Sequence, residues 1–246
     1  MTLDELVAEA EVDSGIVGVV LGGSHGRGAL VTEHSDLDVY VVAVDEEFRR
    51  RWADAHPFRH GDPIEVISIS LPWLRDRPTP RTPEAYDAYA LAHTRVLVDK
   101  LDGEVGRLVE ERERVDPAGA SEPLDDFVNY VYRARKSARA GRELAARLDA
   151  AEAVGPFLEF LFAAHGRVRP FNKWLGWELE HHPLGPPWTA AELLPRLERV
   201  LAGDPGELAA LFREAEHVAR ATGHGETIDG WEPDVPWLRG YPSVEG

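Results

Sequence analysis

The sequence predicts an α/β chain: a small mixed twisted sheet with helices on one side over residues 1 to about 115, then an all-α helical bundle. Three observations carry this. Four short apolar runs of strand length, Ile16–Leu21, 37–42, Pro63–Ser70 and Arg95–Asp99, alternate with amphipathic helical stretches. A Pro/Gly-rich segment, Asp116-Pro117-Ala118-Gly119-Ala120-Ser121-Glu122-Pro123, then marks a linker. Beyond it the apolar residues follow helical spacing only. The implied division is residues 1–115 and 120–246, the latter ending in a proline-rich tail.

In chain order, Thr2 caps a short helix with Leu3, Leu6, Val7 and Ala10 on one face. Ile16 to Leu21 is a buried strand that ends in Gly22-Gly23-Ser24-His25-Gly26-Arg27-Gly28. Ser35-Asp36-Leu37-Asp38-Val39-Tyr40-Val41-Val42 opens the second strand. Residues at i and i+2 of a strand point to one face, about 6.5–7 Å apart. Asp36 and Asp38 therefore stand side by side, with Leu37 and Val39 turned into the core. Two such carboxylates suit one divalent cation, or two bridged cations about 3.5–4 Å apart. Glycines admit close approach of a ligand to backbone. The amides after Gly22, with the Ser24 hydroxyl, suit phosphate oxygens. A phosphate cradle beside paired carboxylates is what a metal–nucleoside triphosphate requires.

These residues resemble the signature of the DNA polymerase β-like nucleotidyltransferases. Gly23-Ser24 precedes Asp36-Leu37-Asp38 by eleven residues, and Gly28 matches the second glycine of the family's Gly-Ser-x-x-x-Gly form. The family's third carboxylate lies on a later apolar strand, a place taken by Glu65 in Ile64-Glu65-Val66. The motif covers residues 15–70. Within the superfamily the chain looks most like small bacterial aminoglycoside-type nucleotidyltransferases with a C-terminal helical domain. The resemblance implies the nucleotidyltransferase fold, with the nucleotide bound between the two domains. It implies Mg²⁺ (or Mn²⁺) held by Asp36 and Asp38, Glu65 as general base or additional metal ligand, and Gly23 and Ser24 on the β/γ phosphates. It also implies a lysine of the helical domain on the triphosphate, for which Lys136 and Lys173 are both candidates.

The remaining elements are plainer. Asp45–His56 reads as a surface helix with Phe48 and Trp52 four apart; Pro57 between His56 and His60 argues against a helical metal pair. Helices are expected over Pro83–His93 and Glu104–Arg114. In the second half, Leu124, Phe127, Val131, Ala134 and Ala138 share one helical face; Arg135, Arg139 and Arg142 lie on the other, beside Lys136. This is the one dense basic stretch, either a solvated face or a surface that neutralises triphosphate. Val154–Ala164 is apolar nearly all round, a buried helix whose single carboxylate, Glu159, needs a partner or a substrate-facing role. Pro170 opens a helix with Phe171, Trp174, Leu175 and Leu179 in core spacing, and helices follow at 190–202 and 205–222. The tail carries Trp231 and Trp237, which are expected to dock on the body.

Composition bounds the partners. The 246 residues carry a formal net charge of −17, and three lysines stand among 27 basic residues. Acidity of this size disfavours a nucleic-acid partner and attracts cations, though it also simply maintains solubility. No apolar run reaches membrane-spanning length, and the start, Met1-Thr2-Leu3-Asp4-Glu5, is unlike a secretory signal, so a cytoplasmic protein is expected. There is no cysteine, hence no disulfide and no thiolate metal site. The expected reaction is transfer of a nucleoside monophosphate from an NTP, ATP in the first instance, to a hydroxyl of a small, aminoglycoside-like acceptor, releasing pyrophosphate. The alternatives are transfer to a protein or tRNA, as in toxin–antitoxin relatives, and a nucleotide-binding module without turnover.

Overall fold

The computed structural model describes residues 1–76 and 88–240. The chain forms two compact units, Met1–Val115 and Asp116–Gly246.

The first unit is built on a four-stranded mixed sheet of order β3-β2-β1-β4. Its strands are β1 (Ile16–Leu21), β2 (Leu37–Ala43), β3 (Ile64–Ser70) and β4 (Arg95–Asp99). β1 is antiparallel to both β2 and β4, and β2 is parallel to β3. β1 is buried at every residue and β2 from Val39 onward, so neither face of the central pair can meet water. Helices accordingly cover both faces, not one as the sequence suggested. On one face α1 (Leu3–Val12) and α3 (Glu46–Ala55) pack Leu6, Ala10 and Trp52 on Val19, Leu21, Val39, Val41 and Val66. On the other, α4 (Leu71–Arg75) and α5 (Glu104–Glu111) bring Leu74, Val105 and Leu108 against Val20, Tyr40, Val42 and Ile69. The physical signal was present: Val39, Val41 and Ala43 alternate with Tyr40 and Val42, leaving no polar face to solvate. Local caps fix the helices. Thr2 and Glu5 close a capping box on α1, and Asp45 accepts from the Glu47 and Phe48 amides at the start of α3. Each such cap contributes about 1 kcal/mol.

Of the helix expected over Pro83–His93, residues 83–87 lie outside the described residues, and 88–91 are helical. The segment read as a linker is a 3₁₀ turn, Pro117–Ala120, that runs directly into the next helix.

The second unit is helical throughout. α6 (Ser121–Arg139) and α7 (Glu143–Ala164) form its centre, with Phe127 against Phe157 at 5.2 Å between ring centroids. α6 stops at Arg139. Gly141, at φ +68°, supplies the left-handed residue that ends it, so Arg142 lies in the turn before α7 and off the helical face predicted for it. Pro170 opens no α-helix; a 3₁₀ turn at Asn172–Trp174 leads into α8 (Leu175–His181). α9 (Ala190–Leu201) and α10 (Pro205–Ala221) follow as expected. The proline-rich tail contains two short helices, α11 (Gly225–Asp229) and α12 (Val235–Leu238). Both tail tryptophans dock on α6: Tyr132 meets Trp231 at 5.7 Å and Trp237 at 5.6 Å, and Trp231 Nε1 donates to Asp125 Oδ1.

Candidate active site

The glycine turn and the two aspartates meet at one end of the sheet. The register sets Leu21 opposite Val39, so the chain leaving β1 passes directly beside the start of β2. The Gly22 amide donates to the Asp38 carbonyl at 2.7 Å, tying turn to strand. The turn continues as a five-residue helix, α2 (Gly23–Arg27), in which Ser24 is buried.

Gly23 is required by two separate facts. Its φ is +56°, in the left-handed region. A Cβ built on it would lie 1.8 Å from Asp38 Oδ2. The carboxylate thus occupies the space a side chain at 23 would take, and Asp38 is packed onto the turn's backbone.

Glu65 enters through the parallel register. Asp38 pairs with Glu65 across β2 and β3. Residues paired across adjacent strands project from the same face, with the strands about 4.8 Å apart. Asp36, two residues before Asp38, immediately precedes the strand. Tyr40, Val42 and Ile69 continue the same alternation into the α4/α5 core. Two carboxylate stems, Asp38 and Glu65, therefore stand on one face of one sheet end, beside the glycine turn, with Asp36 just before the strand and the apolar floor of the unit beyond them. Asp36 and Asp38 are half-buried and Glu65 is buried, 6 % exposed.

The glutamate is held. Its Oε1 accepts from the Gly61 amide at 2.7 Å and lies 3.2 Å from His60 Nδ1. Sequence reasoning saw His60 only as the partner of a helical metal pair. The structure gives His56 and His60 different carboxylates: His56 stacks on Trp52 and reaches Glu9 Oε2 at 3.1 Å. The signal that could have placed His60 was the turn-forming Gly61-Asp62-Pro63 between it and Glu65.

Arg27 was also missed. Its Nη1 reaches the Gly23 carbonyl at 3.4 Å and its Nη2 the Tyr89 carbonyl at 2.5 Å, with the guanidinium 4.8 Å from the Tyr89 ring centre. It places a fixed cation at the glycine turn. Position 27 was legible only as the end of a Gly-Ser-x-Gly-Arg run.

The donor set is suited to a hard divalent cation, since every candidate is a carboxylate oxygen. Among the described residues, however, no three His, Asp or Glu side chains are gathered as a set that could hold a metal ion. Of the expected trio of ligands Asp36, Asp38 and Glu65, the register pairs Asp38 with Glu65, the three are not gathered as a closed cage, and Glu65 Oε1 is engaged by Gly61 and His60. Mg²⁺ ordinarily needs only one or two protein carboxylates when substrate phosphates and water complete its octahedron. Asp36 and Asp38 satisfy that smaller requirement.

The residues expected from the helical unit are all at its surface or paired. Lys136 is exposed, its Nζ 5.8 Å from the Tyr132 ring centre. Lys173 is exposed beside Trp174, at 5.4 Å. Glu159 has the partner its apolar helix demanded: Arg169 Nη1 lies 3.5 Å from its Oε1. Burial holds the Arg169 pKa below the ordinary guanidinium value, an effect the Glu159 charge opposes.

Among the described residues no helix is long and apolar enough to cross a membrane. The chain matches no protein-family model, and no curated protein matches it in sequence. Among solved structures it is similar to a nucleotidyltransferase-like protein from Exiguobacterium sibiricum 255-15, at 10 % identity and a TM-score of 0.44, over 93 % of this chain and 79 % of that one.

Proposed function

We propose that the chain is a metal-dependent nucleotidyltransferase that moves a nucleoside monophosphate from an NTP, ATP in the first instance, to a hydroxyl of a small acceptor. The observation that supports this best is the pairing of Asp38 with Glu65 across the sheet, with the Asp38 carboxylate packed on Gly23 and Asp36 just before the strand. A purely structural turn has no need of carboxylates placed this way, and hard oxygen donors beside a glycine turn suit a divalent cation with phosphate.

In this reading the acceptor oxygen bonds to the α-phosphorus, the bond from that phosphorus to the β-bridging oxygen breaks, and pyrophosphate leaves. Asp36 and Asp38 would hold Mg²⁺ (or Mn²⁺), which when bound neutralises phosphate charge and orients the α-phosphoryl group. Glu65, fixed through Oε1 by the Gly61 amide, takes the acceptor's proton. The amides of the turn at Gly23 and Ser24 bind β/γ-phosphate oxygens, and Arg27 adds a nearby positive charge. Most of the rate gain then comes from positioning and charge neutralisation. Lys136 and Lys173 remain the two candidates for an added contact to the triphosphate, separable by the effect of Lys136→Ala and Lys173→Ala on the KM for NTP.

The net charge of −17 supports a small cationic acceptor over a polyanionic one. The test is transfer from α-phosphate-labelled NTP to aminoglycosides, other amines bearing hydroxyls, and tRNA, at low and moderate salt. Label on the small cations supports the proposal. Label on tRNA alone, falling steeply with salt, overturns the acceptor class and leaves the transferase reading standing.

A further inference from the structure

The helical unit contains a pocket of about 490 Å³ formed between α6, α7, the start of α10 and Trp237. That volume lies in the range of small-molecule sites. Its floor is apolar: the alanines of α6 and α7, with Leu208. Three guanidiniums line it, those of Arg135, Arg139 and Arg147.

These arginines differ from most of those in the unit. Most guanidiniums there meet carboxylates: Arg133 with Asp149 at 2.8 Å, Arg196 with Glu207 and Glu214 at 2.7 and 2.6 Å, Arg239 with Glu216 at 2.5 Å. Among the described residues Arg135, Arg139 and Arg147 have no carboxylate within 4.0 Å, in a chain with 44 acidic residues. Arg135 and Arg139 instead lie over the Trp237 ring, at 5.2 and 4.9 Å from its centre. The Nε of Arg135 is buried without a hydrogen-bond partner. A desolvated guanidinium donor with nothing to donate to is costly, and burial lowers the Arg135 pKa accordingly.

The acidic residues at the pocket do not fully cancel this charge. Asp204 caps α10, accepting from the Gly206 and Glu207 amides at 2.8 and 3.1 Å, and so offsets the positive end of that helix. That leaves Glu143, exposed in the first turn of α7, against three guanidiniums.

We propose that this pocket binds an amphipathic organic anion, its phosphate or carboxylate head between Arg135, Arg139 and Arg147 and its apolar body on the floor toward Leu208. The site lies wholly within the helical unit and does not depend on the transferase reading. Isothermal titration of the full chain with 1-naphthyl phosphate, in buffer with EDTA, tests it. One site per chain is expected. Arg139→Gln and Arg147→Gln each weaken it about tenfold or more, the loss of one charge-assisted contact. Both side chains are exposed, so the variants should stay folded, with melting temperatures within a few degrees of the wild type even where Arg139 leaves the Trp237 ring. Asp38→Asn should leave the affinity unchanged, and inorganic phosphate should bind at least about tenfold more weakly. Four results would each overturn the proposal: no binding at millimolar ligand, wild-type affinity in both arginine variants, loss of binding in Asp38→Asn, or equal affinity for inorganic phosphate.

Discussion

The two units place their polar groups by opposite means. In the sheet unit the three candidate carboxylates fall within thirty residues, and the pairing of two neighbouring strands brings Asp38 beside Glu65. In the helical unit the three pocket guanidiniums come from two helices, and their neighbours from the α9–α10 turn and the tail, brought together only by the fold. The first cluster is acidic in an acidic chain. The second is basic, with no ion pair at its guanidiniums among the described residues although Glu143 and Asp204 line the same pocket. Strand pairing can place charged residues by backbone register, whereas a cluster built by tertiary packing depends on where that packing holds the counter-charges.

The largest expected effect is at Asp38. Asp38→Asn, and likewise Asp36→Asn, should remove transfer activity below detection. The fold should persist, with a melting temperature in EDTA equal to or above that of the wild type, because like charges are relieved. Full activity in either variant, measured by pyrophosphate release, would return the acidic cluster to a surface role. Glu65→Gln comes next: kcat should fall by roughly 10²–10⁴ if Glu65 takes the acceptor proton. An unchanged Mg²⁺ dependence would accompany that role, and a shifted one would mark Glu65 as a ligand instead. Gly23→Ala combines both kinds of damage. The new Cβ meets Asp38 Oδ2 in a left-handed backbone, so activity should be lost together with about 1–3 kcal/mol of stability in denaturant titration.

The smallest expected effects belong to the helical unit's paired charges. The Glu216 carboxyl is held below its ordinary value of 4.5, first by the hydrogen bond from Arg239, against the opposing effect of burial, and then by Arg220. A depressed carboxyl contributes stability that is complete above its ordinary pKa and is lost as pH falls through the folded value. The wild-type melting temperature should therefore drop more steeply below about pH 4.5 than that of Glu216→Gln. Parallel melting curves would show that this ion pair contributes nothing to stability.

What could be read in the sequence follows the same division. The four strands, α1, α3, α9 and α10 were legible because period-2 or period-3.6 patterns end at caps or turns within a residue or two. Asp38 was legible as a residue at the start of the second strand for the same reason. The pairing of Asp38 with Glu65 was not, since the register of two parallel strands joined by a long crossover is fixed by packing. Nor was the capture of Glu65 by Gly61 and His60, which depends on how one turn folds. The supposed row of Arg135, Arg139 and Arg142 failed at Gly141, whose left-handed backbone ends α6. Arg147, five residues after Arg142 and on another helix, took the place that periodicity had given to Arg142.

The central claim is that the carboxylate face beside Gly23 transfers a nucleotide. Its most direct measurement is pyrophosphate release from ATP, and from the other NTPs, with Mg²⁺ and a hydroxyl-bearing cationic acceptor, run side by side on the wild type and Asp38→Asn at matched folding. Release coupled to labelling of the acceptor in the wild type, and absent in Asp38→Asn, is the predicted result. Release that persists undiminished in Asp38→Asn, or no release by the wild type with any NTP and acceptor, would contradict it.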